Sequence, residues 1–279
     1  MIGLALKTRL AAAFIFVLAV VGAAIVIFPY YWMIVSSLAQ KSMFEWPPKL
    51  LPESIAFGAY LRVFAERPIG RWFANTALVA ATTSIFCTVV AVNAGYALSR
   101  FRSRLTSVFG IFILVSQMLP AALIAVPLYV VYRQLGLYNS LLGLAVGDTA
   151  FVLPLATWLM KGFFDGIPAD LEEQAEVDGC SRLGAFYRIT LPLALPGLIV
   201  VMVFSFMAGW DEFFLARTLI SSQSNWVLSV GLTSFISQYT IAWDEMMAAS
   251  VIFALPAAIF FLIVQRYLVH GLTGGAVKG

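Results

Sequence analysis

The apolar residues of this chain fall into six long blocks separated by polar connections, at roughly 10–38, 72–98, 106–131, 141–164, 193–215 and 247–267. At about 1.5 Å of rise per residue, each is long enough to cross a hydrocarbon core of about 30 Å as a helix. The pattern therefore predicts six transmembrane helices, the first kinked at Pro29. That first block follows Lys7 and Arg9 as a signal peptide would. It is far longer than the roughly 7–15-residue apolar core of a signal peptide and lacks a clear cleavage site, so it reads as a retained span. A polar connection at 39–71 separates it from the rest.

Composition agrees. Hydrophobic residues make up 62% of the 279, and only 11% are charged. Mean hydropathy is +0.94, whereas a soluble domain is nearer half apolar and a quarter charged. The fold class is all-α and polytopic. A formal charge of +3 belongs to membrane topology rather than to nucleic acid. Lys7, Arg9 and the triple Arg100, Arg102, Arg104 predict that both ends of the chain lie on the cytoplasmic side of the membrane.

The polar stretch at 165–192 carries more than a turn between spans requires. Pro168 suits the opening of a helix, and Asp170, Glu172 and Glu173 lie where the helix dipole favours negative charge. Leu171, Ala175 and Asp178 share one stripe, and Glu172 and Glu176 another. Gly179 suits a left-handed residue that ends the helix, Ser181 a cap on a second one, and Pro192 a stop before the next span. The prediction is a helix, a sharp turn and a second helix lying on the cytoplasmic surface. Periodicity alone is equally compatible with an interfacial amphipathic helix.

A resemblance separates these readings. Glu173-Gln174-Ala175, three residues, Gly179, nine residues, then Ile189-Thr190-Leu191-Pro192 resembles the Glu-Ala-Ala loop of ABC-importer permeases, with Gln174 where the first Ala is usual. Tyr96-Ala97-Leu98-Ser99-Arg100 resembles the Ala-Tyr-Ala-Leu-x-Arg stretch of carbohydrate-importer permeases. The run at 127–140 is similar to their third outer segment. FMAGWDEF at 206–213 resembles their Trp-Asn-Glu/Asp-Phe element, with Asp211 in place of Asn. The tail from Gly271 looks like that of the maltose-type subfamily.

The resemblance implies a type I importer permease fold. Its parts would be an N-terminal helix and first periplasmic loop (1–71), a transmembrane domain (72–268) and a cytoplasmic tail (269–279). It implies coupling to a separate ATPase through Leu171, Glu173, Ala175, Asp178, Gly179 and Pro192, with Glu173 as polar anchor. It also implies ATPase contact by Gly274, Gly275 and Lys278. The implied partners are a second permease subunit in a heterodimer, two ATP-binding cassette ATPases, a periplasmic or lipid-anchored solute-binding protein, membrane lipid, and a sugar, oligosaccharide or polyol as cargo. No cofactor is implied.

Missing motifs fit that division of labour. The chain has no Gly-x-x-x-x-Gly-Lys-Ser/Thr to cradle phosphate, no Ser/His/Asp set, no paired-His site and no CxxC. His270 stands alone, and Cys87 and Cys180 offer no disulfide framework. Asn93, Asp148, Trp210 and Asp211 are candidates for a translocation pathway, since ionisable groups inside spans tend to serve function. Hydrogen bonds between helices and interfacial anchoring are the competing uses. An ion-driven carrier is the alternative function; it would show an internal repeat and midplane charges, which are not evident here.

Overall fold

A computed structural model describes residues 2–39, 50–51, 54–101, 103–237 and 241–276. It is helical throughout: α1 (Ile2–Leu38), α2 (Gly58–Glu66), α3 (Ile69–Arg100), α4 (Arg104–Ser116), α5 (Ala121–Gln134), α6 (Leu141–Asp165), α7 (Asp170–Val177), α8 (Arg182–Ala185), α9 (Leu191–Leu193), α10 (Leu195–Asp211), α11 (Phe214–Leu219), α12 (Leu228–Leu232) and α13 (Trp243–Ala276). Four helices are long and apolar enough to span, at Leu10–Leu38, Ile69–Arg100, Leu141–Asp165 and Trp243–Leu262. Two bent pairs complete the six predicted spans when each pair is counted as one.

Two of the six predicted spans are broken. The third block divides into α4 and α5, inclined at 101°. Pro120 lacks the N–H that would continue the ladder and takes extended backbone (ψ 132°) ahead of Ala121. Gln117, at the break, spends its amide on the Phe151 carbonyl at 2.8 Å. The fifth block also divides: Arg182–Leu193 meets Leu195–Asp211 at 74°. Its helix stops at Asp211, four residues before the expected end. The last helix runs on through Gly274 and Gly275 to Ala276; Lys278 and Arg102 lie outside the described residues.

The chain forms two units. In the smaller (residues 1–69 and 232–254), Ser37 and Tyr60 share a 2.8 Å hydroxyl hydrogen bond. Arg62 there pairs with Asp244 and with Glu245.

The larger unit (residues 70–231 and 255–279) holds two buried clusters. One gathers Val79, Tyr132, Leu144, Leu215, Leu219 and Val230; the other gathers Ala91, Tyr96, Met160, Phe164, Phe186 and Val201. Between α3 and α6 the backbones approach closely at Gly95. A Cβ there would meet Met160 Cβ at 2.7 Å, the Lys161 nitrogen at 2.9 Å and the Thr157 oxygen at 3.0 Å. Two of these are backbone atoms that cannot swing aside. Gly95→Val is therefore expected to lower stability by about 1–3 kcal/mol through overpacking, read as a lower melting temperature of the detergent-purified protein.

The connection after α10 is folded. Trp72 is fully buried and donates to the Gln223 carbonyl at 3.0 Å, and the Asn75 amide bonds the carbonyls of Ser224 and Trp226. Asn139, at φ 56°, accepts from the Ser221 and Ser222 nitrogens through its side-chain oxygen. Asn is among the few residues other than Gly that adopt this left-handed backbone at modest cost.

Candidate functional site

The site lies where α3 and α6 end and α7 begins. The first turn of α7 carries Asp170, Glu172 and Glu173, which complement the partial positive charge of its N-terminus. Its C-terminus closes as sequence reading predicted. Gly179 adopts φ 90°, its N–H bonds the Glu176 carbonyl at 3.1 Å, and the Cys180 N–H reaches back to the Ala175 carbonyl at 2.9 Å. This pair of bonds is a Schellman motif, which satisfies carbonyls that the helix end would otherwise leave unpaired. Ser181 then caps α8 by accepting from the Gly184 nitrogen at 3.2 Å. A single π-turn, Phe186–Thr190, carries the chain to α9 and Pro192.

Facing inward from α7 are Glu172 and Ala175, both buried. Tyr96 Oη donates to Glu172 Oε2, and Arg100 Nε donates to Glu172 Oε1, each at 2.7 Å. The same guanidinium donates to the Phe164 carbonyl at 3.1 Å and the Ile167 carbonyl at 3.0 Å, capping the end of α6. Ser99 adds a 2.7 Å bond to Asp165, which also pairs with Lys161 at 2.5 Å. Arg100 and Glu172 side chains are only 9% and 8% exposed. Removing one partner of a pair this buried costs about 3–5 kcal/mol, because the other charge is left uncompensated. Beneath the pair, the Tyr96 ring lies 4.3 Å from Phe186 and 5.6 Å from Phe164.

The acid fastened to the spans is Glu172, one residue before Glu173, which lies on the opposite, outward side of the helix. Ala175, expected on the docking surface, turns inward instead, because it sits three residues from Glu172 on the same helical face. Leu171 is half-exposed and Pro192 exposed. The outward face consists of Asp170, Glu173, Gln174, Val177 and Asp178, which border a surface hollow of about 530 Å³. Val177 is 88% exposed among these acids, so the face combines negative charge with one apolar knob.

Burial works against ionisation of Glu172, but bonds from Tyr96 and Arg100 outweigh it and hold its carboxyl below the ordinary value of 4.5. A depressed carboxylate stabilises the fold above its unfolded pKa and ceases to do so as pH falls through the folded one. Seating of α7 should therefore be constant from pH 8 to about 5 and fail only at more acid pH. Protease sensitivity at the 165–170 connection, measured against pH, checks this.

The pathway candidates are not brought together. Asn93 bonds its own helix at the Val89 carbonyl, 2.8 Å away. Asp211 is exposed at the end of α10. Trp210 is buried, edge-on to Phe73 and stacked with Phe206, which places it in the helix packing rather than on an open surface. Asp148 differs. It is 2% exposed, and neither carboxyl oxygen has a hydrogen-bond partner among the described residues. Tyr132 and Glu212 lie within electrostatic reach of it.

Several apolar helices long enough to span and a short acid-faced helix fastened to two of them fit a membrane-embedded transport component. The chain belongs to the family "Binding-protein-dependent transport system inner membrane component", whose model matches residues 88–274. It is 34% identical to the inner membrane ABC transporter permease protein YcjP of Escherichia coli K12, covering 91% of this chain and 92% of that one. It is 32% identical to the trehalose/maltose transport system permease protein MalG of Thermococcus litoralis, covering 94% and 95%. Its fold matches a crystal structure of a bacterial ABC transporter involved in the import of the acidic polysaccharide alginate, with a TM-score of 0.82 at 25% identity over 93% and 96% of the two chains. The family is one of multi-pass inner-membrane permease components and does not favour the ion-driven carrier.

Proposed function

We propose that this chain is one of two permease subunits of a carbohydrate importer, with α7 on the cytoplasmic side as its coupling helix. ATP hydrolysis falls to two separate cassette subunits, whose closure pushes on α7 and drives the spans between inward-facing and outward-facing states. A solute-binding protein delivers the cargo from outside. The observation that carries this reading is the construction of α7. Its inward face is fastened to two spans, while its acidic outward face, with exposed Val177, is left for a partner. A helix that merely lay on lipid would present apolar residues to the bilayer and basic ones to its headgroups. The outward face of α7 does the reverse.

A sugar, oligosaccharide or polyol is the proposed cargo. Supporting it are the names of the trehalose/maltose relative and of the alginate transporter of like fold. The test has two arms. The tagged chain is purified from its native membrane and probed for a copurifying ATPase and a second permease. The binding protein is then screened against a carbohydrate panel, and the best ligand is used in vesicle uptake. ATP-dependent uptake supports the reading. Uptake that needs no ATPase and follows an ion gradient defeats it.

A further inference from the structure

Arg100 does more than cap a helix. One guanidinium holds the Glu172 carboxylate of α7 and the Phe164 and Ile167 carbonyls at the end of α6, and it belongs itself to the end of α3. Its fourth bond, to the Ser99 hydroxyl at 3.3 Å, joins the Ser99–Asp165 contact to the same network. The joint is sealed on its flanks by Phe101, which lies under the Arg182 guanidinium at 4.5 Å, and by the ring cluster of Tyr96, Phe164 and Phe186. Between α6 and α7 the backbone is free to turn only at 166–169, and Arg100 bonds within that very stretch, at Ile167. A load applied to α7 thus reaches α3 and α6 through a buried ion pair as well as through the chain.

We infer that Arg100, through Glu172, is the positioning residue that makes α7 and the ends of α3 and α6 move as one body during the transport cycle. The inference rests on the ATPase-docking reading of α7. It goes further in naming the internal joint and in stating which segments keep their mutual geometry. It also distinguishes Glu172 from its neighbour: Glu173 faces the partner and governs assembly, whereas Glu172 faces the spans and governs transmission.

The test uses the whole complex, purified from its native membrane through a tag on this chain and placed in nanodiscs. Spin labels are attached at Glu176→Cys on α7, off the partner face, and at Gly162→Cys on α6. Both positions are exposed, and nothing lies within 4 Å of a Cβ at Gly162. Cys180 is replaced by serine. Label separation is measured without nucleotide and after trapping with Mg-ATP and vanadate. With Arg100 and Glu172 intact, the separation should be the same in both states. In Glu172→Ala it should change between states by about 5 Å, one helical turn, while ATPase copurification is retained. Where Glu172→Ala fails to insert, Arg100→Lys replaces it; this keeps the charge but loses the planar fork that reaches several acceptors at once. A separation that shifts in the unmutated protein, or that stays fixed in both variants, overturns the joint. A wild-type preparation containing no ATPase overturns the docking reading and the joint with it.

Discussion

Glu173→Lys is expected to abolish copurification of the ATPase while leaving this chain inserted and folded. Glu173 lies on the outward face of α7 with Asp170, Gln174, Val177 and Asp178, and makes no bond inward that the change would break. Reversing a charge at an interface built on opposite charges costs several kcal/mol, or more than a hundredfold in affinity by the usual conversion. Gly179→Asp should act in the same direction but more weakly. No atom lies within 4 Å of a Cβ there, so the change meets no clash; its cost is backbone strain at φ 90°, about 1–2 kcal/mol. Gly179→Ala separates that strain from the added charge. Membrane yield and pull-down of the tagged chain provide the two readouts. Full ATPase recovery with Glu173→Lys would remove α7 from the docking surface.

These two residues also show what a sequence reveals and what it conceals. The turn at Gly179 and the cap at Ser181 were legible because each depends on a few adjacent residues whose chemistry admits one local solution. The inward face of α7 was not. Three acids in one helical turn give no hint of which will be buried, since that depends on Arg100, 72 residues away in sequence. A signal was nevertheless present: Tyr96 and Arg100, picked out by their resemblance to a permease stretch, are the two residues that hold Glu172. Four residues apart on one helix, they share a face and offer two donors to a single carboxylate.

The six spans were legible from length and apolarity, but the bends within two of them were not. Pro120 marks a break only in retrospect, because Pro29, Pro127, Pro154 and Pro256 all sit inside helices that continue through them. What differs at Pro120 is the preceding Gln117, whose amide is drawn to a neighbouring helix. The folded connection after α10 was obscured for a similar reason. Its order comes from Trp72, Asn75 and Asn139, all distant in sequence. Long-range hydrogen bonds of this kind leave no periodicity.

Asp148 yields the second large effect, and it divides stability from function. A buried carboxyl whose oxygens find no hydrogen-bond partner is unfavourable by about 1–3 kcal/mol on mutational scales, even when neutral. Asp148→Leu, which keeps the branched skeleton but replaces the two oxygens with methyl groups, is free of that penalty and should therefore raise the melting temperature of the purified chain. The same substitution should abolish ATP-driven uptake. A membrane protein that keeps a costly acid within a span does so for a task, and a residue unpaired in one conformation is available to pair in another. Asp148→Asn, which keeps the shape and hydrogen-bonding capacity but not the acid, distinguishes a need for charge from a need for a polar group. Raised stability with unimpaired uptake in Asp148→Leu would show that the acid has no part in transport, and lowered stability would show that burying the unpaired acid carries no net penalty.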